Sequence, residues 1–248
     1  MACILHIETS TDVCSVAVSK DGFLLYEKTY RSGPNHAERL GTYIDEALGK
    51  VEEKGLKLEA VAVSGGPGSY TGLRIGVSMA KGICYGSDAR LLGIPTLQLL
   101  CVPVLLGDRI RCMKCVDGKE ERIDTEMEED ALLCPMIDAR RMEVFSAIYD
   151  RSLREVRGVR ADIVDGDTYR DVLGKHVVYF FGNGAEKCME AINHPNARLI
   201  KGVEPLAKNM MPLADRKWNR GETENVAYFV PDYLKDYKPG KSKTLINN

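Results

Sequence analysis

Two stretches of this chain carry the same order of elements, and that repeat limits the fold more than any other feature. Residues 4–8 (Ile-Leu-His-Ile-Glu) read as a strand ending in an acid. A Thr-Ser-Thr-Asp turn at 9–12 and an alternating second strand at 13–18 follow. Residues 132–140 (Leu-Leu-Cys-Pro-Met-Ile-Asp-Ala-Arg) again give a strand ending in an acid, Asp138, and a turn, with the next strand at 143–149. A second unit also occurs twice. Residues 60–63 (Ala-Val-Ala-Val) form a buried-type strand that runs into Ser64-Gly65-Gly66-Pro67-Gly68-Ser69-Tyr70-Thr71-Gly72 and then a helix. Residues 177–181 run into Gly182-Asn183-Gly184-Ala185 and a helix start. The pattern reads as a weak internal duplication.

The remaining elements fit around this frame. Asp21-Gly22 is a hairpin signal leading to a third strand at 23–30. Ser32-Gly33-Pro34 breaks the chain, and Asn35 with Glu38 has the spacing of a capping box. The helix predicted over 35–54 aligns Leu40, Tyr43, Ile44, Ala47, Leu48 and Val51 on one apolar face, and Gly55 ends it. A second helix over 72–86 is rich in small residues, with Gly72, Gly76, Met79 and Ile83 on one stripe. That stripe suits close packing within the chain or against a partner helix, and the sequence leaves both open. Residues 91–94 read as a strand, and Pro95-Thr96 opens a third helix. The expected layout is a first lobe over 1–106, an insertion over 107–131, a smaller lobe over 132–230 and a C-terminal segment over 231–248, frayed and basic beyond about 235.

Composition narrows the function. Of 248 residues 44% are hydrophobic, enough for a substantial core. A net charge of −2 provides no global basic field for nucleic acid. The sequence has neither a membrane-length apolar run nor a basic-then-apolar leader, which predicts a cytoplasmic protein with no membrane contact. The eight cysteines sit mostly among apolar neighbours, as reduced core residues do. Cys112 and Cys115 have metal or redox spacing, but no second pair or close histidines accompany them, so a plain loop is expected. Between Asp117 and Asp130 lie eight acids and two bases, which predicts a solvated, mobile loop or hairpin.

Other chemistry is weighed residue by residue. The four histidines, His6, His36, His176 and His194, include no pair within a helical turn, which argues against a histidine metal site. Ser69 lacks the Gly-x-Ser-x-Gly frame of a nucleophile elbow. The 64–72 loop fits neither a P-loop, since Leu73-Arg74 follows Gly72, nor the dinucleotide pattern, since Thr71 takes the place of the last glycine. It suits either phosphate at a helix N-terminus or a tight packing turn. Glu8-Thr9-Ser10 could hold a hydrated cation and a phosphate, or form an ordinary turn.

Four blocks resemble a known family, the TsaB/TsaD group. They are Ile4-Leu5-His6-Ile7-Glu8-Thr9-Ser10-Thr11, the stretch from Gly65 to Gly76 (Gly-Gly-Pro-Gly-Ser-Tyr-Thr-Gly-Leu-Arg-Ile-Gly), Met136-Ile137-Asp138-Ala139-Arg140-Arg141-Met142-Glu143-Val144-Phe145, and Pro231-Asp232-Tyr233-Leu234-Lys235. The third block is similar to one particular to TsaB members. The resemblance implies an actin/Hsp70-like (ASKHA) α/β fold of two lobes with a reduced second lobe. It implies a role in making N6-threonylcarbamoyladenosine beside the tRNA anticodon, with tRNA reached only through a complex. In that group TsaD carries the transferase chemistry, TsaB is its non-catalytic partner and TsaE is an ATPase that joins them. Helices one and two would form the TsaD contact, here through His36, Leu40, Tyr43, Ala47, Gly72, Arg74, Gly76, Met79 and Ile83. Their apolar surface would pair two copies of the chain when TsaD is absent. The resemblance also implies a vestigial nucleotide site at Glu8, Thr9, Ser10, Gly66, Gly68 and Asp138, no metal, no cofactor of its own, and nucleotide only at the joint assembly. The TsaD metal motif His-x-x-x-His has no counterpart in Thr96-Leu97-Gln98-Leu99-Leu100, which argues against the old protease-like label. The alternative is an ATP-dependent small-molecule kinase on the same fold, with Asp138 as general base.

Overall fold

The computed structural model describes residues 2–31, 36–107, 109–116 and 119–235. In the first lobe β1 (Cys3–Glu8), β2 (Cys14–Lys20) and β3 (Phe23–Tyr30) form an antiparallel meander. Strands β4 (Ala60–Gly66) and β5 (Arg90–Pro95) then join β1 in parallel, Ile4 opposite Ala60 and Ala60 opposite Arg90. The sheet order is β3-β2-β1-β4-β5.

Pleating sends Cys3, Leu5 and Ile7 to one face, where they meet α1 (His36–Glu53) and α2 (Tyr70–Ser87). The predicted apolar face of α1, from Leu40 to Val51, is the face that packs there. Asn35, the predicted cap, lies outside the described residues. α2 begins two residues earlier than predicted because Ser69 caps it, its hydroxyl accepting from the Gly72 N–H. On the opposite face Ala2, Ile4, Ala60 and Leu92 pack against α3 (Thr96–Leu105). α3 has no polar side. Leu99 and Val102 fill the first lobe, while Leu97, Leu100, Cys101 and Val104 fill the second, so this buried helix is the hydrophobic joint between lobes.

After α3 come β6 (Ile110–Val116) and β7 (Lys119–Thr125), then β8 (Leu132–Asp138), β9 (Glu143–Tyr149) and β10 (Glu155–Ile163). The one-turn helix α4 (Arg170–Leu173), β11 (Val178–Phe181), the one-turn helix α5 (Met189–Ile192) and β12 (Ala197–Ile200) complete the lobe. The sheet order is β10-β9-β8-β11-β12-β6-β7. Its first five strands repeat the first lobe position for position, with β11 parallel to both β8 and β12. The duplicated, actin/Hsp70-like two-lobed α/β architecture is present, and the second lobe is reduced: helices of four residues stand where the first lobe has helices of eighteen.

Two expectations about layout are corrected. The 107–131 insertion is a built part of the second sheet. β6 pairs with β12, Met113 opposite Leu199, and buries Ile110 and Cys112 in the interlobe core. The apolar residues that make this possible precede the acidic run that dominated the composition. The segment 132–230 does not all belong to the second lobe. α6 (Met211–Arg220) returns to the first, placing Leu213 and Ala214 beneath Ile4 and Leu92. Beyond it, Glu224 N–H donates to the Leu91 carbonyl, and Phe229 lies against Gly93.

Candidate functional site: the cleft and the outer face of the second helix

The carboxyl ends of the parallel strands in both sheets open toward each other, the usual ligand position in open α/β sheets. A cleft of about 870 Å³ lies there, lined by Ser10 to Asp12, Pro67 to Thr71, Ile137 to Arg141, Phe145, Asn183 and Asp232 to Lys235. The two glycine loops that flank it match in geometry. Gly66 has φ +106° and Gly182 φ +97°, and two residues later Gly68 abuts Ser10 as Gly184 abuts Asp138. A side chain at Gly68 or Gly184 would collide with the turn after β1 or β8, so close approach of the two segments requires glycine there.

Of the six residues expected to form a vestigial nucleotide site, Ser10, Gly68 and Asp138 line the cleft, whereas Glu8, Thr9 and Gly66 do not. Glu8 is fully buried. It accepts from the Ser10 N–H at 2.5 Å and from the Ser64 hydroxyl, and burial, only partly offset by these bonds, raises its carboxyl to about 7. Thr9 turns inward and donates to the Gly72 carbonyl at 2.7 Å. Gly66 abuts the Asp232 carbonyl. Asp138 accepts from Lys187 Nζ at 2.5 Å and from the Arg140 N–H at 2.8 Å. Lys187 also donates to the Arg141 and Glu143 carbonyls, so it staples the β8–β9 turn. At the start of α2, the Ser69, Gly72 and Leu73 N–H groups are engaged by the Ser10 carbonyl, the Ser69 hydroxyl and the Ser69 carbonyl.

Among the described residues no group of three or more His, Cys, Asp or Glu side chains could hold a metal ion. Cys112 lies buried on strand β6, and the side chain of Cys115 lies outside what the structure describes.

The chain matches the family model described as "TsaD: tRNA N6-adenosine threonylcarbamoyltransferase" over residues 30–173, more than half its length. It is 26% identical over 243 residues to the tRNA threonylcarbamoyladenosine biosynthesis protein TsaB of Escherichia coli, covering 94% of each chain. The chain belongs to the TsaB/YeaZ family. The TsaB of Haemophilus influenzae is 27% identical over 177 residues, 70% of this chain and 63% of that one. The fold is shared with a Pseudomonas aeruginosa protein described as similar to peptidase YEAZ. It superposes with a TM-score of 0.75 at 23% identity, covering 95% of this chain and 100% of that one. No helix among the described residues is long and apolar enough to cross a membrane.

The nine residues expected at a TsaD contact divide sharply. Leu40, Tyr43 and Ala47 are buried in their own lobe's core. Gly72 and Gly76 face inward against Thr9, so the small-residue stripe serves packing within the chain. Met79 and Ile83 are half-buried flanks of that core. Arg74 is exposed, its guanidinium 5.5 Å from the centre of the Tyr70 ring. His36 opens α1, but its side chain lies outside what the structure describes. The outward face of α2 is instead formed by Thr71, Arg74, Ser78, Gly82, Tyr85 and Gly86. Tyr85 is 88% exposed, and nothing lies within 4 Å of where a Cβ on Gly82 or Gly86 would sit. The sequence held a signal for this face: 71, 74, 78, 82 and 85 also follow helical spacing, and Tyr85 is the large residue on it.

Proposed function

We propose that this chain is the non-catalytic, TsaD-pairing subunit of the machinery that builds N6-threonylcarbamoyladenosine in tRNA, acting in the cytoplasm with a TsaE-type ATPase. The observation that carries the non-catalytic reading is the state of its two strand-end acids. Glu8 is sealed under Ser64 and Ser10, and Asp138 is held by Lys187. The two-lobed scaffold is kept while these acids serve its own turns. The same pairing disfavours a kinase, whose general base would have to be Asp138 with a lone pair free for a substrate hydroxyl. Any nucleotide and the tRNA are held by the assembled complex.

The docking face in this reading is the outer side of α2 with the neighbouring exposed side of α1. Two open glycines beside a projecting tyrosine let a partner helix approach closely around one aromatic anchor. The same face pairs two copies of the chain when TsaD is absent.

The test uses the purified full chain and its cognate TsaD. Tyr85→Glu and Gly82→Arg should each weaken TsaD binding by about 30-fold or more, the scale of an interface hot spot, with circular dichroism unchanged. Self-association should fall in parallel. Folded variants that bind TsaD like the parent place the contact elsewhere. Transfer by the purified chain without TsaD overturns the non-catalytic reading.

A further inference from the structure

The segment 231–235 is bonded to both lobes within five residues. On the first lobe, the Asp232 N–H donates to the Gly65 carbonyl at 2.7 Å, and the Tyr233 ring lies 4.7 Å from that of Tyr70 at the start of α2. On the second lobe, Leu234 packs on the core cluster containing Ile137 and Phe145. Lys235 pairs with Glu143 and sits 5.9 Å from the centre of the Phe145 ring. The four side chains from Asp232 to Lys235 line the interlobe cleft.

We propose that the strip of the interlobe groove bounded by Gly65, Tyr70, Phe145 and Glu143 is a binding site for an extended peptide, occupied in cis by residues 231–235, and that this occupancy latches one lobe to the other. The ligand chemistry is read from the occupant: a main-chain donor for the Gly65 carbonyl, an aromatic side chain for Tyr70, an aliphatic one for the floor at Phe145, and a cation for Glu143. Gly66 makes the site possible, because a Cβ there would overlap the Asp232 carbonyl. Each contact is weak alone. Attachment to the same chain makes the encounter intramolecular, with an effective concentration in the millimolar range, so a weak segment still occupies this strip.

The latch sits on a joint that α3 already fastens, so releasing it should widen the lobe arrangement without unfolding either core. The full-length variant carrying Tyr233→Ala, Leu234→Ala and Lys235→Ala should keep its circular dichroism. Its small-angle scattering should show a larger radius of gyration, and exchange of the Asp232 amide should speed at least about tenfold. The synthetic peptide Pro-Asp-Tyr-Leu-Lys, added to this variant up to about 10 mM, should shift the amide resonances of Gly65, Tyr70 and Phe145 with a millimolar Kd and restore the scattering curve. If the triple variant proves unstable, Lys235→Ala alone should move the same observables in the same direction. A folded variant with the parent's scattering curve overturns the latch. A widened variant whose resonances ignore the peptide overturns the peptide site.

Discussion

The hydroxyl of Thr9 donates a 2.7 Å hydrogen bond to the carbonyl oxygen of Gly72, tying the end of β1 to the first turn of α2. The contact is close because α2 presents no side chain there. A Cβ on Gly72 would overlap the Thr9 carbonyl, and one on Gly76 would overlap the Thr9 hydroxyl. Gly72→Ala and Gly76→Ala should therefore each lower stability by about 1–3 kcal/mol, the cost of overpacking, despite alanine's better helix propensity. Gly82→Ala, on the open face, should gain up to about 1 kcal/mol. Thermal melts of the three variants check the opposite signs.

Glu8 and His6 share β1 and respond to acid in opposite senses. Burial raises the Glu8 carboxyl to about 7, so on acidification the folded state takes up this proton before the unfolded chain does. The contribution is fully present below about 4.5 and lost as pH rises through 7. Burial lowers the His6 imidazole to about 3, so there the unfolded chain takes the proton first. That contribution is present above about 6.5 and lost as pH falls toward 3. Between pH 4.5 and 6.5 the two slopes oppose. Glu8→Gln should steepen the loss of stability on acidification, and His6→Gln should make Tm fall as pH rises across that window. Each effect is bounded by its shift, on the order of a few kcal/mol. Melting curves at closely spaced pH values decide it; parallel profiles for all three proteins would refute the assignment.

The β6–β7 hairpin divides into a structural strand and an exposed one. Ile110 is 5% exposed and part of the interlobe core, and nearby the Tyr179 hydroxyl donates to Glu128 at 2.7 Å. Ile110→Ala should cost about 2–5 kcal/mol, or roughly 2–4 °C of Tm per kcal/mol in a chain of this size. Deleting 110–125 should strip the β12 edge and promote aggregation. Glu121→Lys, on exposed surface, should stay within about 0.5 kcal/mol. Calorimetry and light scattering measure both effects.

In the second lobe Asp162 is nearly buried and accepts from Arg157, from the Ser146 hydroxyl at 2.6 Å and from the Tyr169 hydroxyl at 3.1 Å. The Arg157 guanidinium also lies 4.5 Å from the centre of the Tyr169 ring. Asp162→Ala strands the Arg157 guanidinium and should cost about 3–5 kcal/mol, whereas Arg157→Ala leaves Asp162 paired with Arg160 at 3.2 Å and should cost less. The double variant should cost less than the sum, and a double-mutant cycle in denaturant gives the coupling.

Local pattern was sufficient for much of this protein. The short apolar run of β1, the alternation of β2, the apolar face of α1, the glycine loops and the repeated strand–acid–turn order are properties of neighbouring residues. They specify the first-lobe elements and the repeated order, and the four sequence blocks point to the family and its two lobes. Other properties depend on which surfaces meet. α2 carries two helical stripes, and Gly72 and Gly76 are spent against Thr9 because that stripe lands on the end of β1, leaving Tyr85 and Gly82 outside. The acidic run at 117–130 looks solvated by composition, yet Ile110 and Cys112 just before it find an unpaired strand edge at β12. Leu213 and Leu234 give no sequence sign of the lobe each joins, since a lone apolar residue in a short segment fits either core. Periodicity reports which residues share a face; only the packed chain determines what that face meets.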